Sequence, residues 1–237
     1  MPRTLLAVFA HPDDETFAIG GTLARCHAEG IRTALFTATD GEAGRTTGTP
    51  VRDRGEVAQL RRRELLAACG VLGVDRIFTP GFPDGGLSAT PADELVGHVV
   101  RVIRDVRPDV VLTFGPEGAP NRHADHRAIS RAATAAFFQA GIRTEHPAEG
   151  PPFRAGRLWF TSWTGEFGPA GVEGVPVTCR VDIRAEQPAK RRAFAEHASQ
   201  QHHFAEFEAT VTDVEEYALA AGAPQPAAMT GDLFAGL

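Results

Sequence analysis

Two short segments of the chain concentrate side chains that can do chemistry. The first, His11-Pro-Asp-Asp-Glu15, packs one imidazole and three carboxylates into five residues. Acids this close repel one another unless a cation or water separates them. A bound metal resolves the conflict. The competing reading is a capped helix start, with Asp13 or Asp14 as N-cap and Glu15 against the positive helix end. The second segment, Arg122-His-Ala-Asp-His-Arg127, offers two more imidazoles, His123 and His126, and the carboxylate of Asp125. Imidazole plus carboxylate is an ordinary zinc donor set, and a catalytic zinc keeps three protein ligands with one position open to water. Either cluster alone fits surface or capping residues. Both at equivalent strand ends favour a metal centre.

The surrounding pattern supplies those strand ends. Residues 5–10 read as a buried strand that runs directly into His11, and residues 110–114 as another that leads to His123 and Asp125. Further strands are expected over 32–37 and 76–79, with helices over 17–29, 57–72, 93–106 and 125–140. Strands separated by helices of this length predict a Rossmann-like α/β fold, a mostly parallel sheet flanked by helices in three layers. Extra C-terminal strands are expected over 158–162 and 177–183, and a helix over 188–201. Residues 1–237 are read as a single domain, with a core over 1–140 and a C-terminal extension over 141–237. In such sheets ligands bind outside the carboxyl ends of the strands, where both clusters fall. Long loops over 38–56 and 115–124 border the same edge and are of a length more often functional than ornamental. Residues 141–156 read as a surface excursion, and the tail after residue 221 as loosely packed.

Composition narrows the function classes. A formal net charge of -6 argues against nucleic acid as a partner, since phosphate backbones select basic surfaces. The 43% hydrophobic content is enough for a full core, yet no stretch approaches the roughly 20 apolar residues that a membrane span needs. The apolar start is short and ends in acids rather than a cleavage site, so a cytoplasmic protein without a membrane partner is expected. Cys26, Cys69 and Cys179 are odd in number and far apart, which indicates neither disulfides nor a cysteine metal site. The sequence leaves the oligomeric state open, a homo-oligomer included.

The chain resembles the PIG-L/LmbE-like N-deacetylases. Ala10-His-Pro-Asp-Asp-Glu15 followed by Gly20-Gly21 is similar to the family's opening motif, and His123-Ala-Asp-His126 to its second, usually His-Pro-Asp-His. Gly41-Glu42-Ala-Gly44, Arg61-x-x-Glu64-Leu65 and Pro83-Asp84-Gly85 also match, with a weaker echo in Lys190 and His197-Ala-Ser-Gln200. The resemblance implies zinc (or another divalent metal) held by His11, Asp14 and His126, Asp13 as general base, and His123 as oxyanion donor or acid. It further implies substrate contacts from Arg61 and Asp84, with Asp125 behind the ligands orienting a histidine. For Arg61 the alternative is a solvated helix face, and for Asp125 a plain N-cap. His197 reads as a satisfied helix histidine, and His202 and His203 as surface residues. The implied activity is hydrolysis of the acetamide on a small N-acetylated, N-acetylglucosamine-like molecule.

Departures and rivals bear on specificity. Ala124 replaces the motif's proline, and Asn121 and Arg122 stand where the family form is glycine-rich. The Arg/Thr-rich loop over 45–54 reads as solvated, with contact to an acidic substrate as the alternative. A dinucleotide oxidoreductase would need Gly-x-Gly-x-x-Gly after the first strand, where this chain has bulky acids. A zinc hydrolase of another amide or ester bond, or of a phosphoester, could use the same metal set. A non-catalytic binding protein predicts a missing ligand or base, and none is missing.

Overall fold

The computed structural model describes residues 2–48, 50, 53–162 and 175–237. Its chain order is β1 (Thr4–Phe9), α1 (Asp14–Ala28), β2 (Arg32–Thr37), α2 (Arg54–Leu72), β3 (Arg76–Phe78), α3 (Ala92–Val106) and β4 (Val110–Phe114). There follow α4 (Ala124–Gln139), β5 (Arg157–Thr161), β6 (Cys179–Asp182), α5 (Gln187–Glu196), a 3-10 turn (Ala198–His203), α6 (Phe204–Ala209) and β7 (Val214–Gly222). One seven-stranded sheet runs β3-β2-β1-β4-β5-β7-β6, parallel from β3 through β5 and antiparallel at β7 and β6. Helices α1, α2 and α5 contact one another, as do α3 and α4. The architecture is the expected α/β one. Every residue of β1 and of β4 is buried, as apolar strands covered on both faces must be.

Chain direction across the sheet reverses between β1 and β4. From β1 the chain moves outward to β2 and β3, then returns to lay β4 on the other side of β1. The loops leaving these neighbouring strands diverge and open a crevice at their carboxyl ends, the ligand position of open α/β sheets.

Two expectations are corrected. The helix over 188–201 stops at Glu196, and after His197 the chain continues as a 3-10 turn instead. The tail is not loose: the buried Arg157 side chain donates to the carbonyls of Ala223, Pro224 and Leu233, and Leu233 and Phe234 are buried. Residues 139–150 are gathered around the buried guanidinium of Arg104, which donates to the carbonyls of Gln139, Ala140, Ile142, Glu145, His146 and Gly150. Backbone carbonyls with no helical partner need a donor, and one arginine supplies six such contacts. Residues 49, 51 and 52 of the Arg/Thr-rich loop lie outside the described residues.

Helix α1 kinks at Ile19 (φ -144, ψ 17), and a buried ion pair fills the kink. Glu215 of β7 accepts the amides of Gly21 and Thr22 at 3.0 and 2.7 Å, while Lys190 of α5 donates to the Phe17 carbonyl at 3.0 Å. The two charges meet at 2.7 Å with side-chain exposures of 1% and 4%. Gly21 permits the close approach, since a Cβ there would stand 2.6 Å from Ile183. Removing one partner strands the other charge in the interior. Glu215→Ala should therefore lower the unfolding free energy by about 3–5 kcal/mol in urea titrations. A loss under about 1 kcal/mol would show that the pair does not hold α1 to the C-terminal strands.

Candidate active site

Four loops at the carboxyl edge meet in a cavity of about 690 Å³. The loop after β1 brings His11, Asp13 and Asp14, and the loop after β4 brings His123 and, in the first turn of α4, Asp125 and His126. The loops after β2 and β3 are tied by a bridge between Thr39 and Phe82, and they bring Ala43, Gly44 and Asp84.

The three residues expected to hold a metal all line this cavity. Asp14 Oδ2 accepts the amides of Ala10 and His11 at 3.1 and 2.8 Å, which fixes the carboxylate at the end of β1. Its Oδ1 lies 3.2 Å from His126 Nε2, and Oδ2 lies 3.6 Å from His11 Nδ1. A tetrahedron with metal–ligand bonds near 2.0 Å has edges of roughly 3.3 Å, and each of these two spacings, made to a different Asp14 oxygen, is close to one such edge. The other nitrogen of His11 faces Asp84 Oδ1 at 3.1 Å and Asp125 Oδ2 at 3.3 Å. A carboxylate behind a histidine fixes its tautomer and turns the opposite nitrogen toward a metal. His126 is held flat against Phe114, with ring centroids 4.1 Å apart.

Asp125 is not an N-cap, because His123 caps α4 by accepting the Asp125 amide on Nδ1 at 3.2 Å. The Asp125 carboxylate accepts the amides of Gly85 and Leu87, tying the β3 loop to the histidines. The cap has a further consequence for His123. With Nδ1 accepting, a neutral ring carries its proton on Nε2, which makes it a hydrogen-bond donor rather than a metal ligand. The nitrogens of His11, His123 and His126 do lie within 4.8 Å of one another, as do donor atoms of His11, Asp84 and Asp125. For the first of these groups the capping bond argues against His123 as a ligand.

Charge states follow from the surroundings. Burial pushes the His11 pKa down, but the carboxylates of Asp125, Asp14 and Asp84 outweigh it and hold the pKa well above the ordinary value. Burial would raise Asp14, yet His126 and His11 bring it below the carboxylate range. Asp84 falls to about 2, with burial overridden by the His11 hydrogen bond, and Asp125 is lowered in the same way. Asp13 goes the other way: burial raises it, and Arg61 offsets only part of that. His123 is exposed at the cavity rim, yet partial desolvation and the neighbouring imidazoles of His11 and His126 lower it.

Arg61 is neither solvated nor free. Only 4% exposed, it donates to the Pro12 carbonyl at 2.5 Å, Asp13 Oδ2 at 2.9 Å and the Gly41 carbonyl at 2.9 Å. Gly41 (φ +67) makes the room, since a Cβ there would stand 2.1 Å from Arg61 Nη1. Asp84 accepts the Ala43 amide on Oδ2 while its other oxygen faces His11. His203 is exposed, as expected of a surface residue, but sequence reasoning missed that it lines the far wall of the cavity with Glu206 and the half-buried His202, whose Nδ1 meets Thr47 Oγ1 at 2.8 Å. It also missed the burial of Glu15 and His197, which are bonded to each other at 2.7 Å.

The fold and cluster define a Rossmann-like α/β protein with a His/Asp site at the sheet's switch point. The chain belongs to the PIG-L family, described as GlcNAc-PI de-N-acetylase, whose sequence pattern matches residues 6–137. Among its relatives, a 1D-myo-inositol 2-acetamido-2-deoxy-alpha-D-glucopyranoside deacetylase of Rhodococcus erythropolis is 32% identical, over 99% of this chain and 98% of that protein. The conserved protein TT1542 of Thermus thermophilus is 34% identical, with a TM-score of 0.74 over 93% of this chain and 95% of its own. GalB of Pseudomonas putida KT2440, a 4-carboxy-2-hydroxymuconate hydratase, reaches a TM-score of 0.76 at 20% identity, covering 95% of this chain and 98% of its own. At that identity the likeness concerns the fold alone, and the chemistry has to be read from the site.

Gly41→Ala should cost about 1–3 kcal/mol more unfolding free energy than Gly30→Ala, whose added Cβ meets open space at a similar φ of +71. Equal losses would show that Arg61 does not depend on the Gly41 turn.

Proposed function

We propose that the chain hydrolyses the acetamide of a 2-acetamido-2-deoxyglucose glycoside, with Asp13 as general base and His123 as oxyanion donor. The protein is a deacetylase, a hydrolase of amide bonds acting on N-acetylglucosamine-like substrates. The observation that carries the assignment of roles is geometric: Arg61 holds Asp13 Oδ2, and His123 Nδ1 caps α4, which leaves Nε2 to donate, with both side chains lining the cavity beside His11, Asp14 and His126.

His11, Asp14 and His126 would hold zinc, or another divalent ion that accepts nitrogen and oxygen donors. When bound, that ion supplies Lewis acidity toward the carbonyl oxygen and lowers the pKa of attacking water. Arg61 holds Asp13 Oδ2, and Oδ1 has no hydrogen-bond partner among the described residues, so Oδ1 is the atom that takes the proton of water. Water oxygen bonds to the carbonyl carbon as that proton moves to Asp13. His123 Nε2–H donates to the oxygen on which charge develops, where fixed donors contribute most. Asp13 then gives its proton to the sugar nitrogen as the C–N bond breaks, and its raised pKa suits it to carry the proton between the two steps. The products are the free amine and acetate. The cavity volume falls in the range of small-molecule sites, large enough for a sugar with an attached group.

Zinc-loaded protein should release acetate from 2-acetamido-2-deoxy-glucopyranosides. Asp13→Asn should lower kcat by about 10²–10⁴-fold without loss of bound zinc. His123→Phe should lower it by about 10²–10³-fold. Near-normal turnover by Asp13→Asn would remove Asp13 from the base role. Release of some other acyl product, with no acetate, would transfer the site to another amide or ester.

A further inference from the structure

Asp13 has an unusual backbone. Its φ of 109 and ψ of -28 place it in a left-handed region that a non-glycine residue adopts only when its surroundings hold it there. Two contacts do so. Arg61 donates to the carbonyl of Pro12, just before it, and Glu15 Oε2 accepts the Asp13 amide at 2.9 Å. Glu15 is fully buried, and its other oxygen, Oε1, faces the Thr16 hydroxyl at 2.6 Å and His197 Nε2 at 2.7 Å.

His197 lies 182 residues away in the chain and is also fully buried. The residues after it brace α2 and the loop after β2. Ser199 donates through its amide and hydroxyl to Glu64 at 2.8 and 2.7 Å, one helical turn from Arg61 on α2. The Ser199 carbonyl accepts the Thr47 amide at 2.9 Å. The segment from His197 to Ser199 thus fastens both supports of Asp13: Glu15, which holds its backbone, and the helix whose Arg61 holds its carboxylate.

We propose that Glu15 and His197 are positioning residues for Asp13, with His197 fixing the Glu15 carboxylate so that it locks the Asp13 amide and aims the Asp13 side chain into the cavity. The inference rests on the reading of Asp13 as the base. A buried acid and imidazole are costly to desolvate, and an apolar pair would fill the same space at least as stably. What an apolar pair cannot supply is an acceptor for the Asp13 amide. With Nε2–H donating to Glu15, His197 acts through that acceptor and touches no substrate.

The test compares His197→Leu, which removes the donor, with His197→Gln, whose side-chain amide can present an N–H near the position of Nε2. Two readouts are taken: kcat and KM per bound zinc, and the ¹⁵N–¹H resonance of the Asp13 amide in metal-free protein. For His197→Leu we expect kcat to fall about 10–100-fold, the loss typical of a small misplacement of a reacting group, with KM and zinc content unchanged. The Asp13 amide proton should move upfield, and His197→Gln should recover most of both effects. If His197→Leu does not fold, Glu15→Met, which leaves the Asp13 amide without its acceptor, carries the same expectation. Normal kcat per bound zinc overturns the proposal, whether the midpoint of unfolding falls or the amide resonance moves. An unmoved Asp13 amide overturns it as well. If the wild-type protein releases no acetate, the deacetylase reading fails by itself, and the amide resonance still reports whether the brace exists.

Discussion

Carboxylates crowded around imidazoles are the constraint on which the rest of the site depends. Asp14, Asp84 and Asp125 all lie within 3.6 Å of His11, with Asp13 beside them, and none of these side chains is more than 15% exposed. Low polarity strengthens repulsion among such groups as much as attraction to a cation. In the protein alone this favours a proton on His11, the direction in which its pKa moves. A divalent ion would meet the same demand more fully. The backbone amides of Ala10, His11, Gly85 and Leu87 carry part of the burden by donating to Asp14 and Asp125, so the acids stay ionised where the fold places them.

The sheet makes that crowding possible by splitting its connections between β1 and β4, so that loops from four parallel strands surround one point. Asp13 escapes the pattern of its neighbours. It has a guanidinium rather than an imidazole as partner and is buried enough that its pKa rises while those of Asp14, Asp84 and Asp125 fall. Titratable groups driven in opposite directions within one site are the arrangement that separates a proton carrier from the groups that remain charged.

The parallel core was legible because its strands are continuous apolar runs between helices of ordinary length, and the two acid/imidazole motifs abut those runs. The strand β7 escaped notice. Its inward positions include Glu215 and Tyr217, whose polar ends are satisfied by Lys190, Thr22 and the α1 amides, so the apolar alternation that marks a strand is missing. Asp125 could not be separated from an N-cap by sequence, since the choice turns on whether the preceding His123 ring supplies the cap instead. His197 and Arg61 illustrate long-range pairing. Their partners, Glu15 and Asp13, lie 182 and 48 residues away, and spacing along the chain carries no sign of either bond. Gly41 is an intermediate case: the motif flagged it, but only the packing of Arg61 against the turn explains it.

The central claim is that His11, Asp14 and His126 hold the metal while His123 remains a donor beside it. Anomalous diffraction at the zinc edge, from crystals of zinc-loaded protein, tests this most directly. The account expects one peak at about 2.0–2.2 Å from donor atoms of His11, Asp14 and His126, with the His123 ring still capping α4 and outside bonding distance. A peak bonded to His123, or seated among His11, Asp84 and Asp125, would contradict it.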